Sequence, residues 1–404
     1  MRKILFVDDE TMVLEGLRRM LRSMRREWAM DFVENAENAL NKLKEESFDV
    51  VVSDMRMPGM NGSQLLDQVR RQYPQVVRII LSGHSDREMV LRSLGPTHQF
   101  LSKPCDAELL KNTITRACAL RDIIHNDTLK QIVARIQSLP SLPSFYLELI
   151  EEINSPEASI KRVGEIICRD VGMMAKLLQL VNSAFFGLSR QVTSPAQAAR
   201  LLGLDTIKSL ILTSHVFRQF QATHVTGFDL QCLWDHSFTV GAFARTIAMR
   251  EGDHEQEPDN ALMAGMLHDV GQLVLAANMP AVFEQCCRLA RTEQIPMWQA
   301  ESKVMGVSHG QIGAYLLGLW GLPDPIVEAL AFHHCLGNCA SKEFSTLVAV
   351  HVADGLDHEF SKRQESIQAS PIDMDHIEQM GFADSIDDWR RLCRDLQQNG
   401  ASRE

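Results

Sequence analysis

Along the first 120 residues, short apolar runs alternate with amphipathic stretches. "KILFV", "FDVVVSDM", "RIILSG" and "HQFLSKP" are compact and β-branched or aromatic, and "MDFVEN" is a weaker fifth. Between them, "TMVLEGLRRMLRSM" and "NGSQLLDQVRRQY" repeat their apolar positions at helical spacing. Strand runs of this kind, separated by helices, predict a parallel sheet covered on both faces. Five units make a small doubly wound (βα)5 domain over residues 1–121, with ligands at the C-terminal ends of its strands.

The pattern changes near residue 122. "IIHNDTLKQIVARIQSL" places Ile124, Leu129, Ile132, Val133, Ile136 and Leu139 on one helical face, which predicts a helical connector over 122–138. Pro140 and Pro143 end it. From 139 to 355 helix follows helix with little strand signal, and two of the segments start at Ser-Pro cap signals. Residues 356–404 are polar and mixed in charge, which predicts one or two short helices and a frayed end. The fold class is therefore multidomain, α/β followed by all-α.

Composition supports this division. Of 404 residues, 45% are hydrophobic but only 6% aromatic, so Leu, Ala, Ile, Val and Met carry the cores. The net charge is −11, yet residues 1–125 hold 19 Lys+Arg against 18 Asp+Glu, so the acid excess lies downstream. An acidic output region matches nucleic acid and anionic membranes poorly. Nine cysteines without a CxxC pair fit small buried hydrophobes in a reducing compartment. "MRKILFVDDE" reads as neither signal peptide nor membrane span, and no apolar run reaches 18 residues. A soluble cytoplasmic protein is expected.

The predicted strand ends carry chemistry. Asp8 and Asp9 end the first strand, Asp54 the third and Ser82 the fourth, and Lys103 follows the fifth. Crowded carboxylates repel one another, and Mg²⁺ with oxygen ligands relieves that repulsion. A carboxylate so placed can attack a phosphoryl donor. Lys103 then pairs with the new charge and Ser82 donates a hydrogen bond. Gly59 and Gly62 in "SDMRMPGMNG" suit a tight loop over the pocket, with the backbone carbonyl of Arg56 placed to join the metal shell. Residues 1–121 resemble a two-component response-regulator receiver domain. The resemblance implies Asp54 as phosphoacceptor, Asp8 and Asp9 as metal acids, Ser82 and Lys103 as phosphoryl sensors, Phe100 as aromatic switch and a sensor histidine kinase as phosphodonor. Receivers often pair through their last helices and sheet edge, which leaves a homodimer among the expected assemblies.

Seven residues of ligand chemistry are scattered through the helical region: His236, His268, Asp269, His309, His333, His334 and Asp354. Imidazole and carboxylate suit Fe, Mn, Zn or Ni. His236, His268, Asp269 and Asp354 could make one octahedral site, and His309, His333 and His334 a second, bridged through Asp269. Two such ions would activate water for phosphoester hydrolysis. A metal-free, hydrogen-bonded polar core is the competing reading. The order H…HD…H…HH…D resembles the HD phosphohydrolase superfamily, including the HD-GYP phosphodiesterases. Two departures stand out: Gln272 holds the position of that family's lysine, and no GYP motif follows the paired histidines in "HHCLGNCASKEF". An amide can hydrogen-bond a phosphate but brings no charge.

"SLPSLPSFYLELIEEINSP", "RDVGMMAKLLQLVNSAFFG", "AARLLGLDTIKSLIL", "LWDHS", "AGMLHDVGQLVL" and "GVSHGQIGAYLLGLWGLPDPIVEALAFHH" resemble the HDOD domain, an HD-related output domain. That resemblance implies a regulatory module acting by contact with a downstream protein or small molecule, with no direct nucleic-acid or membrane role. The alternative is a metal-dependent phosphohydrolase of a nucleotide or cyclic dinucleotide. His84, His98, His125, His215, His224, His254, His351, His358 and His376 have no place in the pattern and read as surface or packing residues.

Overall fold

The computed structural model describes residues 1–83, 97–123, 130, 133, 136, 140–141, 148–149, 151–153, 155, 158–182, 192–204, 207, 218–219, 228–252, 256–338, 343–361 and 370–401. The five apolar runs form β1 (Arg2–Val7), β2 (Trp28–Val33), β3 (Val50–Asp54), β4 (Val77–Ser82) and β5 (Gln99–Ser102). They make one parallel sheet in the order β2-β1-β3-β4-β5. Every residue of β3 and β4 is buried, as expected of strands covered on both faces. The covering helices are α1 (Thr11–Met20), α2 (Ala36–Glu45), α3 (Gly62–Gln72) and α4 (Ala107–Ile123). Asn61 starts α3 with a capping box, its side chain accepting from the Gln64 amide while Gln64 accepts from the Asn61 amide.

Most of the expected connector over 122–138, and most of the "LPSLPS" and "NSAFFG" segments, lie outside the described residues. In the helical half, α5 (Ile160–Cys168), α6 (Val171–Asn182) and α7 (Pro195–Leu202) come first. A two-residue parallel pairing of β6 (Pro140–Ser141) with β7 (Arg218–Gln219) is too short to leave an alternation in the sequence. Then follow α8 (Leu230–Glu251), α9 (Glu257–Leu267), α10 (Val270–Asn278), α11 (Pro280–Glu293), α12 (Met297–Met305), α13 (His309–Leu319), α14 (Asp324–Phe332) and α15 (Thr346–Phe360). No helix among the described residues is long and apolar enough to cross a membrane.

Glycines set how closely these helices approach. A Cβ on Gly265 of α9 would stand 2.7 Å from the Gly241 Cα of α8, and one on Gly271 of α10 would overlap the His309 carbonyl of α13. The helices therefore meet backbone to backbone, and only glycine fits at those points.

The C-terminal stretch forms the two helices expected, the second of them long and docked on the helical domain, while residues 402–404 lie outside the described residues. After α16 (Met374–Gln379), α17 (Ile386–Ala401) buries Ile386, Trp389 and Cys393, and the Trp389 indole donates to Glu251 of α8 at 3.1 Å. These three apolar residues at helical spacing outweigh the charged residues around them. The expected boundary at 355 also falls inside α15, which continues to Phe360.

The two halves touch. Helix α4 packs on α13. The Arg116 guanidinium lies 2.6 Å from Asp324 and donates to the Leu322 carbonyl. The Gln99 amide donates to the Gly318 carbonyl at 3.5 Å.

Candidate functional site

At the C-terminal edge of the sheet, Asp8 and Asp54 are buried and face Lys103. The Lys103 ammonium lies 2.6 Å from Asp8 Oδ2 and also pairs with Asp54 Oδ1. Burial alone would pull the ammonium's pKa down, but the hydrogen bonds to Asp54 and Asp8 outweigh it and the net shift is up. The Arg56 amide donates to Asp54 Oδ2 at 2.6 Å, and the Glu10 amide to Asp8 Oδ1 at 3.0 Å. Ser82 Oγ is buried without a hydrogen-bond partner among the described residues. Asp9 is exposed, and no bond links it to Asp54 or Lys103 among the described contacts. Phe100 is buried on β5 opposite Ile80 and lines a cavity between the two halves. Gly59 adopts φ +77°, and a Cβ on Gly62 would overlap the Asp54 carbonyl, so the loop closes directly under the acid pocket. Two buried carboxylates at one sheet edge fit Mg²⁺ in kind.

In the helical half all seven scattered residues come together. His236 comes from α8, His268 and Asp269 from the α9–α10 junction, and His309 from the first position of α13. His333 and His334 follow α14, and Asp354 lies on α15. His236, His268 and Asp354 form one group whose nearest ligand atoms are 3.2 to 3.8 Å apart. Asp269, His309, His333 and His334 form the other. Asp269 faces both: Oδ2 is 3.5 Å from His268 Nε2 and 3.8 Å from His236 Nε2, while Oδ1 is 2.9 Å from His309 Nε2.

Four of the five rings are anchored on their outer nitrogen. Nδ1 of His236 meets Asp357 at 2.7 Å, that of His268 the Gly265 carbonyl at 2.6 Å, that of His309 Glu301 at 2.7 Å and that of His333 the Leu330 carbonyl at 2.8 Å. In each case Nε2 is left for the cluster. Anchoring of this kind fixes tautomer and ring direction in metal sites. His333 Nε2, His334 Nδ1 and one oxygen each of Asp269 and Asp354 are buried without an aligned hydrogen bond among the described residues. A mixed imidazole and carboxylate set with orphaned donor atoms fits a first-row transition metal.

Without a metal, two of the rings, His236 and His309, hold protons. Burial pulls His236 and His309 down, but carboxylates outweigh it: Asp354 and Asp357 raise His236 to about 9, and Glu301 and Asp269 hold His309 well above its ordinary value. Burial, then the neighbouring imidazoles, push His333 down to about 3. A metal ion would therefore displace protons on binding.

Three site residues escaped the sequence reading. Glu301 of α12 is fully buried against His309, and Asp357 anchors His236. His358, read as surface or packing, instead lies 3.3 Å from Asp354, with its ring 5.0 Å from that of His236. Asp354, Asp357 and His358 stand at i, i+3 and i+4 on one helix face, a readable signal. Glu301 left no periodic trace. Of the other unassigned histidines, His98 and His351 are buried in ordinary packing, and His376 is paired with Asp373. His84, His125, His215, His224 and His254 lie outside the described residues.

Comparison with known proteins agrees with this division. A family model for the HDOD domain matches residues 139–336, and one for the response regulator receiver domain matches residues 4–115. An uncharacterized protein of Treponema pallidum is 30% identical over 241 residues, 59% of this chain and 46% of its own. The hydrogenase transcriptional regulatory protein HoxA of Cupriavidus necator is 34% identical over 116 residues, 28% of this chain and 23% of its own. The chain thus spans less than half the length of these curated relatives. The MmoQ response regulator of Methylococcus capsulatus, a solved structure, covers 63% of this chain and 98% of its own at 22% identity and a TM-score of 0.48. The chain is a response regulator in which a receiver domain is joined to an HDOD domain, an HD-related output.

Proposed function

We propose that the protein is a cytoplasmic phosphorelay component whose Asp54 accepts a phosphoryl group from a sensor histidine kinase. The supporting observation is the acid pocket, with the Lys103 ammonium between Asp8 and Asp54 and the Ser82 hydroxyl unpartnered beside them. Asp8, Asp54 and, by its position after Asp8, Asp9 would hold Mg²⁺ with the Arg56 carbonyl, and the ion would offset charge on the incoming phosphoryl group. An Asp54 oxygen forms the new P–O bond as the donor's P–N bond breaks, and the donor imidazole leaves. Lys103 then pairs with the phosphoryl oxygens and Ser82 donates to one of them. The switched receiver acts on the helical domain, which signals by binding a protein or small molecule. Asp54→Asn should fold normally and lose every response to acetyl phosphate. A response that survives in that variant contradicts the assignment.

The convergence of seven ligand-type residues favours a second reading of the output domain. It would hold Fe, Mn, Zn or Ni and hydrolyse a nucleotide or cyclic dinucleotide. Gln272 weighs against turnover, because it supplies no cation for a phosphate beside Asp269. Metal-loaded protein without turnover on either substrate class leaves a sensory or structural metal; turnover that is lost in Asp269→Asn establishes the hydrolase.

A further inference from the structure

Lys103 directly follows β5 and holds Asp54. On the same strand, Gln99 donates to Gly318 near the end of α13. Arg116 of α4 grips Leu322 and Asp324 just beyond it. At its other end, α13 begins with His309, 2.9 Å from the bridging Asp269. One helix of 11 residues, about 16 Å long, thus runs from the receiver to the histidine cluster.

Its two ends differ in slack. At the cluster, a Cβ on Gly310 would stand 2.5 Å from the Leu330 carbonyl and 3.0 Å from the His333 ring, one on Gly313 would stand 2.8 Å from Val270, and Gly271 abuts the His309 carbonyl. Packing this close cannot absorb a shift of the helix, so a shift moves His309, Asp269 and His333 relative to one another. At the receiver, a cavity of about 430 Å³ lined by Phe100, Thr115, Arg116, Gln179 and Trp320 adjoins the contact. The contact there combines the packing of α4 on α13 with polar anchors, and the cavity beside it is space into which the contact can shift.

We propose that α13 couples the two sites, so that charge at Asp54 and cation occupancy at the His309 cluster change each other's affinity reciprocally. New charge at Asp54 alters the pull on Lys103. Through β5 this alters the Gln99–Gly318 and Arg116–Asp324 anchors, and α13 carries the shift to His309. This coupling rests on the phosphoacceptor and metal-holding readings above.

The test titrates Co²⁺ into the full chain in excess Mg²⁺, with and without beryllofluoride as the phosphoryl stand-in. Couplings of this kind are typically about five- to 150-fold, so the Co²⁺ dissociation constant should move by about fivefold or more. By reciprocity Co²⁺ should move the beryllofluoride affinity by the same factor. A Gln99→Ala, Asp324→Asn double variant should still bind both probes and reduce the change to less than about twofold. Asp324 is largely exposed, so its substitution leaves the core intact. If both probes bind and neither affinity moves, the coupling is wrong while both readings stand. Absent Co²⁺ binding overturns the metal reading, and absent beryllofluoride binding the phosphoacceptor reading; either result removes the coupling as well.

Discussion

Glu301 accepts two hydrogen bonds from His309, one from the ring Nδ1–H and one from the backbone amide, each at 2.7 Å. It is fully buried, so its role is spent inside the protein. Glu301→Gln should weaken Co²⁺ binding by about 10- to 100-fold, as lost outer-shell partners of metal-ligating histidines do. It should also cost about 1–3 kcal/mol of stability through an imperfectly satisfied buried group. Isothermal titration and thermal melting read the two effects separately. Unchanged metal affinity with lowered stability would make Glu301 a purely structural partner.

Gly62 leaves no space between α3 and the phosphoacceptor strand. Gly62→Ala forces its Cβ against the Asp54 carbonyl, and the backbone must move. The expected cost is about 1–3 kcal/mol, together with slower phosphoryl uptake because Asp54 shifts relative to Lys103. Denaturant titration and acetyl phosphate kinetics test this; a variant with wild-type kinetics would show that the loop has slack.

Lys176 of α6 is buried, with its ammonium 4.9 Å from the centre of the Trp320 ring, and burial pushes its pKa down to about 7. The unfolded chain holds that proton up to about 10.4. Between these values the unfolded state binds more protons than the folded one, so stability should rise as pH rises from about 7 to about 10. Lys176→Met should remove that slope and gain roughly 2 kcal/mol or more at pH 7. Melting curves across this range decide it, and a wild-type slope persisting in the variant would place its origin elsewhere.

The C-terminal helix is part of the helical domain. Trp389 is fully buried against Phe344 and Phe382 and bonds Glu251. Trp389→Ala should cost about 3–5 kcal/mol. A loss below about 0.5 kcal/mol, the range of a surface substitution, would mean that α17 does not dock in solution.

Four of the five strands were legible because each is a short apolar run closed by an acid, a serine or a lysine that the chemistry needs; β2 carries no such residue and reads more weakly. The seven ligand-type residues were legible by residue type and order, but their grouping was not. Asp269 turns one oxygen to each group only because the α9–α10 junction places it between them. Glu301 reaches His309, eight residues on, across the three-residue break between α12 and α13, and no one-dimensional period encodes that. His358 is readable from its i,i+4 spacing to Asp354 on one helix face. The polar appearance of residues 386–393 masked three buried anchors, because the charged positions outnumber them.

The most direct test of the phosphoacceptor at Asp54 is chemical trapping. Protein incubated with acetyl phosphate and Mg²⁺ is reduced with borohydride, which converts an aspartyl phosphate to homoserine, and is then mapped by peptide mass spectrometry. Homoserine at position 54, absent from protein treated without the phosphodonor, is the expected result. Homoserine at another aspartate, or at none while the protein is folded and Mg²⁺ is present, would contradict the assignment of Asp54.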